Sequence, residues 1–120
     1  MKDEKSRDLI ARTKSFALRI IRLYSALPKT TVAQVLGRQL LRSGTSVGAQ
    51  YREANRGKST ADFISKIEGA LQELDDTAYW LELLAESKTS PLNELTVLQK
   101  ETEELISIFV AVVKSAKRPR

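Results

Sequence analysis

Histidine and cysteine are both absent from the 120 residues. The side chains left to do chemistry are carboxylates, hydroxyls, lysines and arginines. Without histidine there is no Ser-His-Asp triad, no histidine-based zinc site and no Glu-x-x-His di-iron pair of the kind some bundles carry. Without cysteine there is no disulfide framework, thiolate nucleophile or cysteine zinc site. A carboxylate-only metal site stays open, but no acidic loop has calcium-binding spacing. Asp75-Asp76 and Glu103-Glu104 are sequence neighbours. Neighbours on a helix point roughly 100° apart, so neither pair shares a pocket as an acid-base dyad must. Gly57-Lys58-Ser59-Thr60 resembles the end of a phosphate-binding loop, but Arg52 stands where that loop needs its first glycine. A helix also precedes it where a strand is required. No catalytic residue is therefore expected, nor a cofactor or a small-molecule substrate.

The arginines are the remaining candidates. Arg12, Arg19 and Arg22, with Lys5, form a stripe on the first helical segment, and Arg38, Arg42, Arg52 and Arg56 form another on the second. One reading is a solvated face partly paired with Glu68, Asp75, Glu82 and Glu86 of the third segment. The other is a surface for RNA or DNA, where each phosphate contact makes affinity salt-dependent. No aromatic residues interleave with the arginines as stacking platforms, and no named reader motif is present. A second group concerns assembly. Gly37, Leu41, Gly44, Gly48 and Tyr51 lie on one smooth strip, and Gly69 is a further helical glycine. Each such glycine costs roughly 1 kcal/mol against alanine, so close helix approach is expected, within the bundle or from a neighbouring subunit. Trp80 and Leu83 sit off the main core stripe with Glu73 and Asp76, as an oligomer contact or as the edge of the core.

These residues must be positioned by helices. Leu9, Phe16, Ile20, Leu23 and Leu27 recur at helical spacing until Pro28 stops the first helix. Thr30 or Thr31 can cap the second, which carries Val32, Val35, Leu36, Gln39, Leu40, Ser43 and Val47 to about Asn55, with Gly57 as the glycine just past its end. Ser59 and Asp62 read as a capping box for the third, with Phe63, Ile67, Ala70, Leu74, Ala78, Leu81, Leu84 and Ala85, ending near Ser87. Ser90-Pro91 starts the fourth, which offers Leu92, Leu95, Leu98, Leu105, Ile106, Phe109 and Val113. The tail Lys117-Arg118-Pro119-Arg120 is expected to fray. Four helices of roughly 20–28 residues with short links predict one all-α domain over residues 1–120, an antiparallel up-down-up-down four-helix bundle.

Charge is shared unevenly. Residues 1–29 carry 8 basic and 3 acidic side chains, residues 30–58 carry 5 and 1, residues 59–88 carry 2 and 7, and residues 89–120 carry 5 and 4. Helices one and two are thus basic and helix three acidic, within a net charge of +5. No apolar run approaches the roughly 20 residues that span a bilayer, and residues 1–8 lead into no signal-type stretch. No membrane association is expected, and the cytoplasm of a bacterial cell is the expected setting.

The run Gln39-Leu40-Leu41-Arg42-Ser43-Gly44-Thr45-Ser46-Val47-Gly48-Ala49-Gln50-Tyr51-Arg52-Glu53-Ala54 has a familiar form. So do Ala61-Asp62-Phe63-Ile64-Ser65-Lys66-Ile67, Ala70-Leu71-Gln72-Glu73-Leu74 and Trp80-Leu81-Glu82-Leu83-Leu84. Together they resemble the bacterial four-helix-bundle proteins of the 23S rRNA intervening-sequence family. Gln50 stands where that family often has asparagine, and Ala54 where many members have glycine. The resemblance implies a bundle that assembles into a ring, commonly a pentamer. Some members are encoded inside insertions in large-subunit ribosomal RNA genes. A retroelement accessory protein of similar fold binds nucleic acid and a reverse transcriptase. Glu53 matches the glutamate of the family motif and is expected to fix the end of helix two by pairing with a basic neighbour. The resulting expectation is a non-enzymatic homo-oligomer that binds RNA or DNA through helices one and two. The alternative is a protein–protein assembly module with no nucleic-acid role.

Overall fold

The computed structural model describes residues 4–90 and 92–119. Four helices follow one another: α1 (Glu4–Ser25), α2 (Thr31–Asn55), α3 (Thr60–Glu86) and α4 (Leu92–Ala116). Among the described residues there is no strand, and the molecule measures 51 × 21 × 20 Å. A helix of 27 residues, the length of α3, spans about 40 Å at 1.5 Å per residue. The long dimension is therefore little more than one helix, and the four lie side by side as a bundle. Each has a polar outer face and an apolar inner one, and packing of the apolar faces supplies most of the stability.

One core runs the length of the bundle. Phe16 and Ile20 of α1, Leu40 and Val47 of α2, Ile67, Leu74 and Leu81 of α3, and Leu98, Leu105 and Phe109 of α4 are all fully buried. Tyr51 crosses it, stacking on Phe109 with ring centroids 5.4 Å apart and planes 19° apart. Four hydroxyl residues are buried too: Thr13, Ser43, Thr77 and Thr102. Burial of a hydroxyl is tolerable when it is hydrogen-bonded. Thr13 donates to Leu9 O (2.8 Å) and Thr102 to Leu98 O (2.7 Å), while Thr77 and Ser43 meet across α3 and α2 at 2.8 Å.

Cross-helix bonds join the start of one helix to the end of the next. Ser6 donates to Asn55 Oδ1 (3.1 Å), and Tyr24 lies 3.4 Å from Gln34 Oε1. Lys66 reaches Glu53 (2.9 Å), and Lys117, just past α4, reaches Glu68 (3.3 Å). α2 packs most extensively on α3, whereas α1 and α4 meet along a sparse seam.

The helix ends show where local chemistry met expectation. Thr30, not Thr31, caps α2, accepting from Ala33 N at 3.2 Å. Ser59 caps α3, accepting from Asp62 N at 3.0 Å. Asp62 reaches back to Lys58 N (3.3 Å) and not to the cap's own amide, so the capping box closes one residue early. Gly57 is not a left-handed cap, since no described glycine has positive φ. The end of α2 closes instead through Arg56 N to Glu53 O (3.1 Å) and Gly57 N to Ala54 O (3.0 Å). A Cβ at Gly57 would lie 3.0 Å from both Ala54 O and Asp62 Oδ2. Crowding, not backbone handedness, is the reason for a glycine there. The left-handed residue is Lys88, φ 55, just past α3. Lys88 N donates to Ala85 O and Thr89 N to Leu84 O, each at 3.2 Å, a Schellman closure made without glycine. Pro91 lies outside the described residues, and so does Arg120. The tail leaves the helix at Ala116, but Lys117 is tied by its amide to Val113 O (3.0 Å) as well as to Glu68.

Candidate nucleic-acid interface

The arginines separate into those with a partner and those without. Arg12 straps the α1–α4 seam. Its Nε donates to Glu101 Oε2 (2.7 Å), and its Nη2 meets Glu101 Oε1 (2.8 Å) and Glu104 Oε1 (2.9 Å). Hydrogen bonding to Glu101 first, and to Glu104 next, pushes the guanidinium further above its ordinary range. Sequence reasoning set Arg12 among the nucleic-acid contacts, yet its fork is already filled by carboxylates. A planar guanidinium with two carboxylates in its fork has little to offer a phosphate.

Arg42 is intermediate. Its Nη1 stands 3.9 Å from Glu73 Oε1, an ion pair without a hydrogen bond, and 60% of its side chain is exposed. Arg22, Arg38, Arg52 and Arg56 are exposed and Arg19 is half-buried. None of these five makes an ion pair among the described residues. Arg38, Arg52 and Arg56 share the outer side of α2, over about 27 Å from first to last at 1.5 Å per residue. Arg19 lies two turns beyond Arg12, so it belongs to the α4 side of α1, and Arg22 to its outer side. The cationic groups thus form a row on α2 and a shorter patch on α1.

The carboxylate partners differ from those expected. Glu68 pairs with Lys117, and among the described residues Asp75, Glu82 and Glu86 pair with none of the arginines of α1 and α2. Among the described residues the carboxylates that pair with those arginines are Glu73, Glu101 and Glu104. Glu53 does fix the end of α2 to a basic residue, but that residue is Lys66 of α3 and not Arg52 or Arg56. The contact raises the Lys66 ammonium above its ordinary value, chiefly through the hydrogen bond to Glu53.

The glycine strip is used inside the chain. A Cβ on Gly44 would come within 2.8 Å of Ile20 Cγ1, and one on Gly37 within 2.7 Å of Leu27 Cδ1. Gly48 faces Thr13, whose Oγ1 would lie 3.1 Å from a Cβ placed there. Gly44 and Tyr51 are buried in their own bundle, and the Tyr51 hydroxyl donates to Ser6 Oγ at 3.2 Å. As subunit contacts these residues were expected to face outward; here α1 covers the strip. Trp80 and Leu83 are half-buried on the side of α3 that carries Glu73. Trp80 packs partly on the core and tilts against Tyr79, ring centroids 5.2 Å apart.

At the other end of the bundle Gly57, Lys58, Ser59, Thr60 and Arg118 line a hollow. The phosphate-loop likeness ends there, because Asp62 accepts the Lys58 amide that such a loop would turn toward a phosphate. No described helix is long and apolar enough to cross a membrane.

Residues 5–111 match the family model of the 23S rRNA-intervening sequence protein. The chain is also similar to a protein of unknown function from the S23 ribosomal protein family of Bacteroides thetaiotaomicron, whose crystal structure is known at 1.70 Å resolution. The two are 35% identical with a TM-score of 0.85, over 92% of this chain and 98% of the other. Among curated proteins none matches.

Proposed function

The chain belongs to the 23S rRNA-intervening sequence protein family, and from that premise we propose a non-enzymatic homo-oligomer that binds RNA or DNA. We read its fold as an up-down-up-down antiparallel bundle, supported by the bonds that tie the start of each helix to the end of its neighbour. Its proposed setting is the cytoplasm.

The observation that carries the binding reading is the contrast among cations. Arg12, Lys66 and Lys117 each hold a carboxylate. Arg22, Arg38, Arg52 and Arg56 stand exposed with no ion pair among the described residues. Exposed guanidinium groups along one helix are suited to phosphates, which they bind in pairs of parallel hydrogen bonds. With no aromatic stacking platform among them, readout of single-stranded bases is disfavoured. Contacts should go to the backbone, with weak sequence preference.

The test is a titration of labelled ribosomal RNA fragments and of duplex DNA across a series of salt concentrations. Binding should weaken as salt rises, by a slope of about 0.7–0.9 per phosphate contacted. Replacing Arg38, Arg52 and Arg56 together by glutamine should lower that slope by about 2–3, while the helical signal stays unchanged. Absence of salt-sensitive binding at micromolar protein would sink the reading.

A further inference from the structure

Between α3 and α4 a hollow of about 310 Å³ is lined by Ala78, Tyr79, Glu82, Gln99 and Glu103. Lys117 reaches Glu68 from the end of α4, so the Glu68 side of α3 faces α4. Asp75, Tyr79, Glu82 and Glu86 follow Glu68 at helical spacing and stay on that side. On α4, Gln99, Glu103, Ile106 and Val110 follow one another in the same way. The hollow is therefore part of a lane along the two helices, about 16 Å from Asp75 to Glu86 at 1.5 Å per residue. Its apolar surface is open, since Tyr79 is 53% and Val110 37% exposed. Its charge is of one sign. Asp75, Glu82, Glu86 and Glu103 are exposed, and none makes an ion pair among the described residues. Lys100 is exposed on the outer side of α4 and pairs with none of them. Glu82 and Glu86 stand one turn apart on α3, a like-charge spacing that weakens a helix. The fold gains nothing from this arrangement. Among the described residues no three carboxylates stand close enough to hold a metal ion, so the charge suits a larger, organic cation.

The geometry points to the α3–α4 lane as the docking site for a basic amphipathic segment of a second protein. One lysine or arginine of that segment sits over Tyr79 between Glu82 and Glu103, and its apolar residues lie along Val110. A cation on a tyrosine ring flanked by carboxylates is held by the ring and by ion pairing together. This goes beyond the nucleic-acid reading and does not depend on it. Among the described residues α4 does not touch α2, so the lane is turned away from the arginine row of α2. Charge complementarity selects a basic occupant and excludes phosphate, which the carboxylates repel. Width selects a single segment. Packed helices lie about 8–10 Å apart, and a helix fits the groove between two of them. Another whole bundle, 21 × 20 Å in cross-section, would bridge the lane and touch its rims.

Fluorescence anisotropy of the full chain with labelled synthetic peptides tests this. The probe is an amphipathic helical peptide with lysines on one face and leucines on the other. Controls are the same peptide with glutamates for its lysines, and an oligolysine without leucines. The basic amphipathic peptide should bind at micromolar concentration and both controls more weakly. Tyr79→Ala should weaken binding about fivefold, and Tyr79→Phe should restore it. Glu82→Gln with Glu103→Gln should weaken it about fivefold as well, without lowering Tm. Asp76→Asn, on the other side of α3, should change nothing. Circular dichroism confirms the fold of each variant. Absence of binding, or equal binding by oligolysine, overturns the inference. So does binding that survives Tyr79→Ala and the double glutamine variant. A lowered Tm in the double variant would assign the carboxylates to the fold instead. Spermidine that displaces the peptide at equal concentration would make the occupant a free small cation. A change of mass by light scattering in Tyr79→Ala would make it a second copy. Each of those three results also overturns it.

Discussion

Two glycine-to-alanine substitutions probe how closely the helices are pressed together. Alanine is favoured over glycine in a helix interior by about 1 kcal/mol, and that gain applies equally to Gly44 and Gly69. The surroundings then decide the sign. At Gly44 the new methyl would lie 2.8 Å from Cγ1 and 3.0 Å from Cγ2 of Ile20. Those atoms sit at the branch of a fully buried side chain, which cannot swing away without moving α1. Overpacking of this kind costs about 1–3 kcal/mol, so Gly44→Ala should destabilise the chain by about 1 kcal/mol net. At Gly69 the new methyl meets the amide end of Gln50, 2.9 Å away at Oε1. That amide can rotate aside, and Gly69→Ala should stabilise by about 0.5–1 kcal/mol. The gap of about 1.5–2 kcal/mol corresponds to roughly 6 °C in Tm for a domain of this size. Urea unfolding at fixed protein concentration measures it, since any assembly would otherwise shift the midpoint. If Gly44→Ala proves as stable as Gly69→Ala, the claim that α1 and α2 touch through this glycine is wrong.

Lys88→Gly should raise stability by about 0.5–1 kcal/mol in thermal melts, because a side chain at φ 55 is strained where glycine is not; a drop would mean the lysine makes a compensating contact. Arg12→Leu should cost about 1 kcal/mol, a figure kept small because Arg12 is 32% and Glu104 63% exposed. The loss should shrink in high salt, and Arg12→Lys should recover only part of it because an ammonium cannot fill the same fork. A loss independent of salt in urea titrations would assign the effect to packing of the arginine stem instead.

Much of the fold was legible because apolar spacing is a local property. Phe16, Ile20, Leu74 and Leu105 lie on their helices' apolar stripes, and all four are buried. The end of α2 at Asn55 and the cap at Ser59 were likewise readable from short-range chemistry. The site was less legible. Arg12 and Arg52 look alike in sequence, and only the nearness of Glu101, 89 positions away, fills the fork of one of them with a carboxylate. Tyr51 looked available for a neighbour until Phe109 of α4 was found beneath its ring. Gly57 looked like a left-handed cap of α2 and is not one, whereas Lys88 past the end of α3 is left-handed and carries no such signal.

By itself the order of residues determined four amphipathic helices, their approximate limits, the absence of histidine and cysteine chemistry, and the split between basic α1 and α2 and acidic α3. Those properties follow from side-chain type and from spacing within a turn or two. Tertiary structure decided which arginines are held by carboxylates, that the glycine strip receives Ile20 and Thr13 of α1, and that Glu73 and Trp80 are left with unbonded buried atoms. Each of these depends on residues far apart in the chain coming within a few ångströms, a distance that helical periodicity does not encode.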